Sequence, residues 1–258
     1  MAIRRFRDHA ADQNWFAVLI DVGIVVLGVF LGIQASNWNA SRIERSEARA
    51  YRAQIVEDLR ANEEELAERS RYYRQVRVSA LAAMKAFGNS GSRGEAFLVD
   101  AYQASQVLPI RMERSAYDEM IARGMAKSFG KPGVRRRLSS YYAGTARLEA
   151  ATIFSPGYRE QIRREMNFAV QQRIRERCSD VVSISKDGVE TITLPERCNL
   201  QLPAALISMA AADLAKTHKL EQELARNIGD LDVKIGRFDR WLQDARATRQ
   251  ALQKSDMS

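Results

Sequence analysis

The residues able to do chemistry are few and scattered. The chain holds two histidines, His9 and His218, and two cysteines, Cys178 and Cys198. That is too few for a four-cysteine zinc site and leaves little for a histidine-rich metal centre. No Gly-x-Ser-x-Gly elbow, phosphate-binding Walker loop, His-Glu-x-x-His pair or dinucleotide fingerprint occurs. Gly130-Lys-Pro-Gly133 before Arg135-Arg136-Arg137 could cradle a phosphate at a helix N-terminus, or be an interhelix turn with a solvated basic face. Glu63-Glu64-Glu65 could hold a cation or simply face water. Tyr72-Tyr73 and Tyr141-Tyr142 could line a ligand box. As packing residues, each pair should send one ring to the core and the other near the rim. His218 sits on a polar helical face and reads as solvated. No nucleophile, base or metal constellation emerges, so neither enzyme activity, a metal nor a cofactor is expected.

The acid that stands out is Asp21. It lies within a nineteen-residue stretch, 15–33, and is its only charge. As a helix the stretch spans roughly 28 Å, close to the hydrocarbon thickness of a bilayer. Trp15 and Trp38 bracket it as interfacial aromatics do. With a little of the exit included, residues 15–37 read as a transmembrane helix. A cleaved signal peptide is the competing reading, but Ala35-Ser36-Asn37 is a poor cleavage site. On a helical wheel Ala17, Gly28, Gly32 and Ala35 fall within about 40° of Asp21. Gly28-x-x-x-Gly32 is a close-approach motif for paired membrane helices. An acid at mid-span costs ~2.5–3.5 kcal/mol, less toward the ends. Asp21 therefore reads as a contact to a partner helix or a proton path, or as an acid reaching back to the nearer headgroups.

The flanks do not settle orientation. Arg4, Arg5 and Arg7 precede the span, and Arg42, Arg45, Arg49 and Arg52 follow it. The cysteines break the tie. Between them, β-favouring residues surround Asp187-Gly188, a hairpin turn signal. Pairing Lys186 with Glu190 would set Cys178 opposite Cys198. A disulfide there closes a loop of roughly 20 residues and needs an oxidising compartment. The expected topology is a cytoplasmic tail, 1–14, the span, 15–37, and an extracytoplasmic domain, 38–258, with a hairpin at 178–198. The location is then a bacterial inner membrane with the domain in the periplasm. Two reduced, unpaired thiols in the cytosol are the alternative.

The 258 residues suffice for one or two domains and a sizeable core. Five prolines and fourteen glycines argue against a turn-rich barrel or a low-complexity chain. Forty Lys+Arg against 32 Asp+Glu give a net charge of +8. The bases are interleaved with acids at spacings of three and four, as between residues 57 and 77, which is the pattern of solvated helical pairs. Nucleic acid is therefore not an expected partner. Apolar spacing predicts one helix from the membrane to about Phe87, either continuous with the span or separate from it. Further helices are predicted over 95–107, 115–127, 134–154, 158–177 and 203–252. The last carries a seam at Leu224, Ile228, Leu231, Ile235, Phe238 and Leu242, for packing inside the domain or against a second copy. The fold class is thus mostly α: an N-terminal transmembrane helix, an antiparallel bundle of long helices and one small β-hairpin.

Asp21, the apolar run 22–33 and the polar exit Gln34-Ala-Ser-Asn37-Trp38-Asn39 together resemble a family of bacterial single-span membrane proteins of unknown function. A charged helix such as 43–59 follows in that family. The stretches 116–124 and 138–142 are similar to its second block. The family carries glutamate where Asp21 stands, and the cysteine hairpin lies outside the resemblance. The resemblance implies a membrane anchor with an extracytoplasmic helical domain, and no activity. The expected function is a non-enzymatic sensing or scaffold module that self-associates through its span. The alternative is an accessory subunit whose Asp21 meets a cation on another protein's helix. The expected partners are the membrane and either a second copy or another membrane protein.

Overall fold

The computed structural model describes residues 15–153, 157–185 and 190–254. The expected tail 1–14, residues 154–156 at the junction of two expected helices and the turn Asp187-Gly188 lie outside the described residues. So do the side chains of Trp15 and Ala17.

One helix dominates. α1 runs unbroken through Trp15–Gly88, 74 residues, or about 110 Å at 1.5 Å per residue. No proline or paired glycine interrupts it. Its N-terminal part has an 18-residue window of mean hydropathy 2.1 with none of it buried. From Leu19 to Glu47 every side chain is exposed, and burial begins at Ala48. Beyond that point Ile55, Leu59, Leu66, Tyr73 and Val76 are fully buried on one face. The helix stops at Gly88. There Arg93 donates from Nε to Ala86 O (3.1 Å) and from Nη2 to Phe87 O (2.6 Å). These bonds satisfy carbonyls that no further helical turn would reach.

A 3-10 turn, Ser90–Ser92, leads into α2 (Glu95–Gln103). Then come α3 (Ser115–Ala122), a 3-10 turn at Met125–Ser128, and α4 (Pro132–Ile153). Next are α5 (Gly157–Glu165), α6 (Phe168–Arg177), β1 (Val181–Ile184) and β2 (Glu190–Thr193). The chain ends with α7 (Ala204–Ala215) and α8 (His218–Lys254).

α8 lies antiparallel along the domain half of α1. Arg249 holds Glu63 with two hydrogen bonds, 2.6 and 3.1 Å. Asp239 takes Ser70 and Arg74, each at 2.6 Å, and Asp232 pairs with Arg77. Between these ties the expected seam closes inside the domain. Leu224, Leu231, Ile235 and Phe238 are buried, Ile228 and Leu242 partly so, and Phe238 stacks on Tyr73 at 5.6 Å.

Two expected helices are each two. The stretch 158–177 breaks at Met166–Asn167. The Asn167 side chain accepts from Ala169 N (2.9 Å), opening α6. Gln171 donates to Arg163 O and Met166 O, closing α5. The stretch 203–252 breaks at Lys216–Thr217. There α7 turns its buried Ala211 and Leu214 toward α2, while α8 sets Leu220 and Leu224 into the core.

The hairpin register also differs from expectation. Ile184 pairs with Glu190 and Val181 with Thr193. Each strand residue's partner is shifted by two residues from the ladder that would place the cysteines directly opposite. Cys178 and Cys198 meet outside the ladder, Cα–Cα 5.5 Å, within the usual disulfide range. Cys178 gets there because it caps α6, its N–H donating to Ile174 O at 2.8 Å. The other edge of β2 is held by α1: Ile192 N donates to Glu68 (3.0 Å) and Leu194 N to Gln75 (2.9 Å).

Candidate functional site

The candidate site is the exposed N-terminal third of α1 and the neck where the domain grips it. Asp21, Gly28, Gly32 and Ala35 are exposed along this helix. A Cβ at Gly28 or Gly32 would meet nothing within 4 Å. The stripe is therefore open to another helix. Asp21 has no ion pair among the described residues. Gln34, Asn37, Trp38 and Asn39 continue the helix rather than ending it, all exposed. The Arg42 guanidinium lies 5.9 Å from the Trp38 ring centroid, one turn on. Arg45 Nε donates to Ser41 O at 3.0 Å.

The neck follows. Tyr51 hydrogen-bonds Glu119 (2.9 Å) and lies beneath Arg123. Arg52 covers the Phe129 ring. Asn62 clasps the strand-like stretch before α3 from both sides, donating to Glu113 O (2.8 Å) and accepting from Glu113 N (2.6 Å). Asp58 accepts from Ala116 N (3.1 Å) at the α3 N-terminus. Burial pushes the Asp58 carboxyl upward, against the lowering effect of that bond. α3 and the turn that follows it thereby sit as a collar at the base of the domain.

The other titratable groups singled out by type serve the fold. Glu63 is held by Arg249, and Glu65 by Arg69 at 2.8 Å, while Glu64 is exposed. Among the described residues no three His, Cys, Asp or Glu side chains gather as a metal site. His218 is exposed, 3.7 Å from Glu221. Arg135 turns inward to Gly130 O (2.6 Å) and Lys127 O (3.3 Å), and Arg137 reaches Asp244. These bonds occupy two of the three arginines that the phosphate-cradle reading required.

The tyrosine pairs do not split between core and rim. All four rings are buried. Tyr72 and Tyr73 meet edge-on at 5.7 Å, as do Tyr141 and Tyr142 at 5.1 Å. Both members of a pair can be buried because α1 and α4 are each covered on two sides. Tyr73 both donates to Leu108 O and accepts from Leu108 N, each at 3.0 Å. Tyr72 donates to Asp180 (3.0 Å), whose carboxyl is raised by burial. Lys234, over the Tyr73 ring at 4.5 Å, is lowered by burial. Arg163, 3.4 Å over the Tyr102 ring, falls to about 10, again through burial.

Sequence reasoning missed the concavity at the corner of α3 and α4, closed by Tyr117, Met120, Phe129 and Leu138. Its signal was two glycines: Gly124 (φ 73°) and Gly130 (φ 68°) take the left-handed conformation that folds the corner. Compared with protein-family models, with curated proteins and with solved structures, the chain matches none.

Proposed function

We propose that this chain is a non-enzymatic, single-pass membrane protein whose rigid stalk carries a helical sensing or scaffold domain outside the cytoplasm. The observation that carries the reading is the continuity of α1. One helix is both the exposed apolar segment and the central rod of the domain core. A rotation or displacement of the span is then a movement of the core, with no hinge between them. Such coupling suits a module that reports or fixes the arrangement of neighbouring chains. The bracketing tryptophans, the polar exit and the cysteine pair at disulfide distance support a span with residues 38 onward in the periplasm of a bacterial cell.

Self-association would run along the face carrying Ala17, Asp21, Gly28, Gly32 and Ala35. Exchanging Gly28 and Gly32 for Ile tests it in a membrane reporter of helix pairing. The open space around both glycines means that the domain itself should not change. The signal should fall; an unchanged signal refutes pairing through this face. Asp21, exposed and without a cation among the described residues, favours one second reading. In it the acid meets a basic residue on an unlike membrane helix, and the chain co-purifies with that protein rather than with itself.

A further inference from the structure

The corner of α3 and α4 holds a groove of about 330 Å³, at the small end of the range for ligand sites. Its floor is Tyr117, Met120, Phe129 and Leu138, and the half-exposed Ile121 forms one lip. Its charged groups are of one sign, with Ser139 as a neutral polar neighbour. Lys127, Arg135 and Arg136 stand at the rim, and no carboxylate lines it. The acids of α3 are committed elsewhere: Asp118 to Arg114 (2.7 Å), Glu119 to Tyr51 and Arg123. Arg135 is tied to the backbone, which fixes the corner. Lys127 and Arg136 have no ion pair among the described residues. An apolar trough ending in unpaired cations matches an aliphatic chain with an anionic head.

The groove's height decides where such a molecule comes from. This step rests on the membrane reading above. The first residue of α1 buried by the domain, Ala48, lies eleven residues beyond Asn37. That is about 16 Å of helix. A tilt of 40° still leaves about 12 Å. The headgroup layer is only about 5–7 Å deep. A phospholipid that stays in its leaflet therefore falls short. From the apolar floor, the cationic rim and this elevation, we infer that the groove binds a soluble single-chain anionic amphiphile, a medium- or long-chain carboxylate, delivered from the aqueous side. Its chain lies along Met120, Phe129 and Leu138, and its carboxylate meets Lys127 and Arg136.

The test uses the full chain in nanodiscs of zwitterionic phosphatidylcholine and a dodecanoate bearing a diazirine near its chain end. After irradiation, labelled peptides are mapped by mass spectrometry. Labelling is expected within residues 115–139. Unlabelled dodecanoate should compete at least tenfold better than dodecyltrimethylammonium. The double variant Lys127→Glu, Arg136→Glu should lose at least tenfold of the label, and circular dichroism checks its fold. The comparison of the two competitors needs no variant. Equal competition by the cationic amphiphile, or undiminished labelling of the folded variant, overturns the proposal. So does label confined to residues 15–37. A photoreactive phosphatidylglycerol placed in the disc should not reach the groove; if it does, the source is the bilayer and the proposal fails. Failure of the membrane reading would show separately, as a chain that does not enter the discs.

Discussion

Gly144, inside α4, packs directly against Trp241 of α8. A Cβ built there would lie 2.2 Å from Trp241 Cη2 and 2.6 Å from Cζ2. Helix propensity alone makes Gly→Ala in a helix interior favourable by about 0.8–1.0 kcal/mol. At Gly144 the indole must move. It would give up its contact with Tyr141, now 5.5 Å between centroids, which is worth about 0.5–1.5 kcal/mol. Repacking around the shifted ring adds an overpacking cost of about 1–3 kcal/mol. Setting these against the propensity gain leaves Gly144→Ala net destabilising by about 0.5–3.7 kcal/mol. The control is Gly229→Ala in α8, where a Cβ meets nothing within 4 Å and only the propensity gain remains. The assay is thermal unfolding of the full chain in a non-ionic detergent, followed by circular dichroism. At about 2–4 °C per kcal/mol, Gly144→Ala should lower Tm by several degrees and Gly229→Ala should raise it by 2–4 °C. In a Trp241→Ala background the sign at Gly144 should reverse, because the obstructing ring is gone. If Gly144→Ala stabilises the unmodified chain as Gly229→Ala does, the close approach of α4 and α8 is wrong.

Other consequences are separately measurable. Glu63→Ala should cost about 1.5–3 kcal/mol in chemical unfolding, because it strands Arg249 beside the core. Reducing the cysteine pair, which closes a 20-residue separation, should cost about 3 kcal/mol and lower Tm accordingly. Asp180 is raised by burial and lacks a hydrogen-bond partner for Oδ1. Its folded form holds its proton more tightly than the unfolded chain does. Stability should therefore fall as pH rises from about 4 through that raised pKa. Asp180→Asn keeps an acceptor for Tyr72 and should flatten this slope in unfolding midpoints measured between pH 4 and 8.

Much of the fold was legible because its largest element is periodic. The spacing of Ile55, Leu59, Leu66, Tyr73 and Val76 announces one buried face, and the lack of proline lets it join the apolar run. Arg93 and Gly88 close α1 where the Gly- and Ser-rich stretch begins. The break at Asn167 was harder to see, since a capping asparagine in a polar helix looks like any surface residue. The break at Lys216–Thr217 has no glycine or proline to mark it, and follows from α7 and α8 packing on different neighbours. The hairpin register could not be read from the cysteines, because Cys178 belongs to the end of α6 rather than to β1. The collar groove depends on two left-handed glycines whose consequence appears only when α3 and α4 are in place.

In the proposed arrangement α1 carries the domain across the membrane into an oxidising compartment. Labelling Cys178 and Cys198 in intact cells with a membrane-impermeant thiol reagent, before and after reduction, tests it most directly. Intact cells should label only after a reductant is added. Thiols that label without reductant, and only once the cells are lysed, would put the domain in the cytosol and contradict it.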